Sequence, residues 1–229
     1  MPYPLHTNFG DHMEQPIAVS YKATSSAYEA NQFIRDISQY SLIACDFEVA
    51  VKYSQADLDS YRSELETCTN KRRWQQLHSR LNATALDHPS HCTLTHCSIA
   101  ISESESYVFI LDNPRITNRI VNFLISTSIK QIWHNALFDF KHLYFQTGKM
   151  PIDYEDTQIF AKTILNHVES HQANTGLKQL AGTRYGAWGI SEDNFTVDSY
   201  YDSTMLLYAG TDACATYWLW NSINRHIKD

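Results

Sequence analysis

Four acids stand in three apolar segments: Asp46 and Glu48 in IACDFEVA, Asp139 in IWHNALFDFKHL and Asp212 in LLYAGTDACATYWLW. An unpaired carboxylate is expensive to bury in such surroundings. The natural compensation is a hard divalent cation held by oxygen ligands, Mg²⁺ or Mn²⁺. Two such ions clamping a phosphodiester would give a nuclease. Tyr208 precedes Asp212 by four residues, one helical turn, so both serve one helix face.

The elements that must position these groups are legible in outline. Residues two apart on a strand point to one face, so SLIACDFEVA as a buried strand presents Asp46 and Glu48 to the same ion. Ile17 to Ala23 reads as a short strand before it. Ser26-Ala-Tyr-Glu29 is a capping box that opens a helix to about Tyr40. Two strands, about Thr93–Ile101 and Tyr107–Leu111, flank the polar run SESES as a hairpin. A helix near Ile116–Ser126 leads to a short strand around Gln131–Trp133. From Asn135 a helix follows, with Leu137, Phe138, Phe140, His142, Leu143 and Tyr144 crowding around Asp139. Asp156-Thr157 caps the next helix, Thr175 is placed to cap LKQLAGTRYG, and Ser203 or Thr204 starts the last one, which ends near Ile227. From 54 to 86 the texture changes to dense charge with few breakers, a helical insertion after the first catalytic strand. Three early strands followed by alternating helices predict an α/β fold with a mixed sheet.

Each piece alone is common: an Asp-x-Glu on a strand is usually just polar, and a Tyr-x-x-x-Asp arises by chance in many helices. The ordered set is specific. It resembles the three motifs of the DEDDy 3′–5′ exonucleases, which include the proofreading domain of DNA polymerase I and ribonuclease D. Asp46-Phe-Glu48 fits the first motif, Asn135-Ala-Leu-Phe-Asp139 the second, and Tyr208-Ala-Gly-Thr-Asp212 the third in its tyrosine form. DTQIFAKTIL and LKQLAGTRYG resemble the helices between the second and third motifs. The insertion and ALDHPSHCTLT look closer to bacteriophage enzymes of the polymerase I type than to ribonuclease D.

The resemblance implies a ribonuclease H-like mixed sheet flanked by helices, spanning 1–229 as one exonuclease domain after an irregular lead-in, 1–16. It implies that Asp46 bridges two metals, Glu48 and Asp212 complete one metal site, Asp139 holds the second, and Tyr208 orients the attacking water. Asn135 would orient substrate or ligand, and His134 would pack behind the site. The product would be a 5′-mononucleotide from a 3′ end, with single-stranded or frayed DNA preferred over RNA and a DNA polymerase as candidate partner. With Asp229 soon after the third motif, no polymerase module is expected to follow in this sequence. The rivals are RNA 3′-end trimming like that of ribonuclease D and a non-catalytic module that binds nucleic acid or a partner on the same fold.

Composition sets outer limits. A net charge of −7 argues against broad adhesion to a duplex backbone, although metals invert the local sign at a catalytic centre. Lys71, Arg72 and Arg73, beside Trp74, form a basic patch in the insertion; they are candidate substrate contacts against the plainer reading of a solvated helix face. Five cysteines without framework spacing fit a reducing cytoplasm, that of the host if the gene is a bacteriophage's. No membrane span and no signal peptide are expected. His88, His91, Cys92, His96 and Cys97 lack a second ligand pair at zinc-finger spacing. Tyr185, Trp188 and Phe195 read as loop and core packing. Cys45 and Cys214 lie beside catalytic acids without being needed as nucleophiles.

Overall fold

The computed structural model describes residues 16–51, 55–82, 89–165, 175–186, 188 and 200–228. All but Pro16 of the expected lead-in lies outside the described residues, as do His88 and Phe195. The elements run β1 (Ser20–Thr24), α1 (Ala27–Ile37), β2 (Leu42–Val51), α2 (Gln55–Thr67), α3 (Lys71–Asn82), a 3₁₀ turn (Pro89–His91), β3 (Cys92–Ala100), β4 (Glu105–Ile110) and α4 (Pro114–Ser126). They continue with β5 (Lys130–Trp133), α5 (Ala136–Thr147), β6 (Tyr154–Asp156), α6 (Thr157–Leu165), α7 (Leu177–Tyr185) and α8 (Ser203–Lys228).

The six strands form one mixed sheet in the order β1-β4-β3-β2-β5-β6. β3 runs antiparallel to both β2 and β4, whereas β1 pairs parallel with β4 and β2, β5 and β6 run parallel. This is the ribonuclease H-like arrangement the motifs imply. Strand alternation divides the core in two. Ile43, Cys45 and Phe47 of β2 face one apolar layer with Trp133 and residues of α1, α4 and α5. Ala44 faces the other, with Ala100, Ile132 and residues of α6, α7 and α8, including buried Trp218. Asp46 and Glu48 are in phase with Ala44 and therefore point toward the α8 side.

Local departures from the sequence reading have simple causes. α1 stops at Ile37 rather than Tyr40, because the Ser38 hydroxyl donates back to Ile34 O (2.6 Å) and closes the last turn. β1 begins at Ser20, not Ile17, since its ladder starts where Ser20 meets Glu105 of β4. β6 was not expected: three residues are too short to carry an alternation. Gly176, not Thr175, stands at the head of α7, and Thr175 is buried. The insertion is the expected helical hairpin, with α2 and α3 packed mainly on each other. Among the described residues, no helix is long and apolar enough to cross a membrane.

Candidate active site

β2 carries the first two acids past the end of its neighbour. β5 pairs only with Leu42–Ala44, so the rest of that strand edge is open. Asp139 of α5 takes the opening: its Oδ1 accepts the Phe47 N–H at 3.1 Å. The register between β2 and β3 shifts directly after Glu48, a bulge that ends the regular ladder where the acids stand.

α8 brings the third motif. Gly210 lies between Tyr208 and Asp212, and a methyl group there would stand 2.7 Å from Ser106 Oγ and 3.3 Å from Tyr21 Cβ. Lacking that methyl, the helix lies close on the sheet and lowers Asp212 onto the β2 acids. Asp46, Glu48 and Asp212 then each offer a carboxylate oxygen within 4.8 Å of the others. Among the described residues this is the cluster of acid, histidine or cysteine side chains that fits a metal ion; none forms around His96 and Cys97. His96 instead bonds Tyr200 O at 2.9 Å and Thr95 Oγ1 at 3.1 Å.

The electrostatics are those of crowded, poorly hydrated acids. Burial, then the charge of Asp212, pushes the Asp46 carboxyl up to about 8. Glu48 and Asp139 are also raised, by burial first and by Asp46 second. Glu48 Oε1 is buried without a hydrogen-bond partner. Carboxylates held together with an orphaned oxygen are what a hard, oxygen-liganded cation satisfies, so the residues fit Mg²⁺ or Mn²⁺. Tyr208 is raised by burial and by Asp212, which keeps its hydroxyl protonated and rules it out as an anionic ligand. Cys45 and Cys214 are buried thiols pushed upward, Cys214 to about 12, and so remain unionised.

Two contacts were missed in the sequence. Lys178 of α7 donates to Tyr208 Oη (2.5 Å) and to Asp212 Oδ2 (3.3 Å). Trp188 Nε1 donates to Asp212 Oδ1, which corrects its reading as packing alone. Tyr185 does pack in the core, donating to Glu103 O and Cys214 O. A cluster of buried acids demands a nearby cation or donors, but nothing in spacing says that LKQLAG supplies it. Tyr208 is buried, whereas its neighbour Leu207 is 44% exposed.

The second motif is set by backbone conformation. Asn135 adopts φ 61°, ψ 48° at the head of α5 and leaves its side chain exposed, without a cap bond. Left-handed backbone is tolerable for asparagine and turns the chain sharply into the helix. Asp156, at the end of β6, accepts from Asn135 N (3.1 Å) and Ala136 N (2.9 Å) as well as from Gln158 N (2.8 Å) and Ile159 N (3.4 Å). One carboxylate thus caps both α5 and α6. Behind it, His134 Nδ1 meets Thr157 Oγ1 at 2.8 Å, and burial lowers this imidazole to about 4, a neutral packing role. Leu137 and Tyr144, expected around Asp139, are exposed at 77% and 58%.

The structure places Lys71, Arg72 and Arg73 on α3 in the insertion, not among the acids. Lys71 and Arg72 are exposed. Arg73 is committed: Nε and Nη2 donate to Glu64 of α2, each at 2.6 Å, so it pins the hairpin instead of standing free for substrate.

The model of the 3′–5′ exonuclease family matches residues 66–228, which hold Asn135–Asp139 and Tyr208–Asp212 but begin after Asp46 and Glu48. Solved structures share the fold. Brucella melitensis NrnC with bound Mg²⁺ is 16% identical over 93% of this chain and 83% of its own, at a TM-score of 0.55. The Trypanosoma brucei RNase D–GMP complex is 15% identical over 89% of this chain and 56% of its own, at 0.60. Escherichia coli RNase D is 13% identical over 90% and 46%, at 0.57. No curated protein matches the chain significantly. The family match spans well over half of the chain, and a fitting acid cluster lies on the shared fold: the chain belongs to the 3′–5′ exonuclease family, as a DEDDy-type hydrolase dependent on two divalent cations.

Proposed function

We propose that the protein removes nucleotides one at a time from the 3′ end of single-stranded or frayed DNA, in proofreading or DNA processing beside a DNA polymerase. The observation that carries the reading is the meeting of Asp46, Glu48, Asp212 and Tyr208 at the open end of β2. Asp46, Glu48 and Asp212 would hold one cation, and Asp139 with Asp46 would hold the second. When bound, the cations neutralise charge on the phosphate and make the attacking water more acidic. The Tyr208 hydroxyl, kept protonated, orients that water. Asn135, exposed at the head of α5, contacts the terminal nucleotide. Lys71 and Arg72 hold strand phosphates at the insertion, 54–86, while Arg73 keeps the hairpin rigid. The described residues act as one exonuclease domain.

A second reading is RNA 3′-end trimming. Among the solved structures that share the fold are Trypanosoma brucei RNase D in complex with RNA U12 and Brucella melitensis NrnC bound to pGG. Matched DNA and RNA oligonucleotides, labelled at either end and digested with Mg²⁺ or Mn²⁺, separate the two. A DNA ladder shortening by one nucleotide from the 3′ end supports the first reading, and faster RNA shortening supports the second. Internal cuts in a circular single strand, or full activity in excess EDTA, would overturn both.

A further inference from the structure

Lys178 is the basic side chain that, among the described residues, touches the acid cluster. Leu180 and Ala181 of α7 are buried in the layer shared with α8, and this packing aims Lys178 across at the third motif. Its ammonium sits 4.4 Å from the centre of the Tyr208 ring while donating to Tyr208 Oη and Asp212 Oδ2. The two partners differ in freedom: the Lys178 side chain is 43% exposed, the Asp212 side chain 9%. The carboxylate is fixed in the site, whereas the ammonium is on a flexible stem with a route to solvent.

We propose that Lys178 is an internal counter-ion that holds Asp212 in the metal-free protein and competes with the divalent cation for that carboxylate. The inference rests on the reading of the acids as cation ligands. An ammonium has donors only, so Tyr208 Oη must accept from it. Lys178 therefore also fixes the orientation of the hydroxyl, pointing the tyrosine's own proton away from α7. Its charge opposes the rise in the carboxyls of Asp46, Glu48 and Asp212 that burial causes. Coupling between two cations at one anion is reciprocal: if metal displaces the ammonium, removing the ammonium must tighten the metal.

The test is thermal melting of the full chain and of the variants Lys178→Met and Lys178→Arg across a Mg²⁺ titration at pH 9. In EDTA, Lys178→Met melts below the wild type, because the acids lose their counter-ion. That deficit closes at saturating Mg²⁺, and the half-saturating concentration falls by about tenfold, the order expected for removing one charge at this range. Lys178→Arg keeps the charge and stays near wild type in both respects. A deficit that persists unchanged at all Mg²⁺ concentrations, or an unchanged or weakened Mg²⁺ response in Lys178→Met, overturns the inference while leaving the cation site standing. A wild-type melting curve indifferent to Mg²⁺ overturns the cation reading and this inference with it.

Discussion

Tyr208 and Asp46 show what single residues contribute. The Tyr208 hydroxyl accepts from Lys178, and burial keeps it protonated, so its available chemistry is donation to a neutral or anionic oxygen. Tyr208→Phe removes that hydroxyl alone. Single-turnover rates should drop by roughly ten- to a thousandfold, as for losing one transition-state hydrogen bond, with little change in melting temperature. Wild-type turnover would mean that the hydroxyl is dispensable. Asp46 makes a pH prediction. Its carboxyl is raised from an unfolded value near 3.8 to about 8 by burial and by Asp212. The native state therefore binds that proton more tightly than the unfolded chain. The stability it lends is whole below pH ~4 and is lost as pH rises through about 8. In EDTA, melting temperature should decline across that window, and Asp46→Asn should blunt the decline while abolishing cleavage. A flat profile in wild-type protein would show that hydration of the cluster is greater than its geometry suggests.

At the scale of elements, the site is a matter of how strand and helix ends are held. Asp156 receives backbone N–H groups from the first turns of both α5 and α6, so the helix that delivers Asp139 is tied to the end of β6. Asp156→Ala leaves two helix starts uncapped at once. We expect a loss of about 1–4 kcal/mol, one to two caps' worth, measured by denaturant unfolding, together with a fall in activity through displaced Asp139. A variant of native stability would show that water replaces the carboxylate at both ends. These elements also show where sequence reading reaches its limit. The strand of Asp46 and Glu48, the hairpin after it and the helix of Tyr208 were legible because each repeats a period over many residues. β6 has no length in which to repeat. Asp156 was read as the cap of one helix, since its second role depends on β6 lying beside β5, a contact made in space. Lys178 was invisible for the same reason: its partners are 30 and 34 residues away, and only the packing of α7 on α8 joins them. Arg73 looked like its basic neighbours until α2 supplied Glu64.

For the molecule as a whole, charge and length are distributed unevenly. The chain carries −7, yet α3 (KRRWQQLHSRLN) holds four basic residues and no acid, while α2 (QADLDSYRSELET) holds four acids and one arginine. The insertion therefore presents one positive helix on a negative protein, with Trp74 42% exposed and its ring tilted against that of His78, centroids 4.2 Å apart. If α3 meets the strand, Lys71→Gln with Arg72→Gln should weaken single-strand binding and reduce the slope of log affinity against log salt by about 1–2, while kcat stays near wild type. An unchanged slope would return both residues to a solvated face. Arg73→Gln should instead loosen the hairpin. The same division governs tolerance to changes of length. Residues 55–82 stand between β2 and β3, and the two strands still pair from Ala44↔Ala100 to Val51↔Cys92. A change in the length of that hairpin should therefore leave the register of the catalytic strand in place. α8 has the opposite character. Where Gly210 rests on the sheet, the helix is indexed like a key in a slot, and one inserted residue between Tyr208 and Gly210 would turn everything upstream by about 100°. Asp212 would keep its place while the tyrosine swung out of the pocket, so the last helix has a fixed length between its two functional groups, a constraint the hairpin between β2 and β3 does not share.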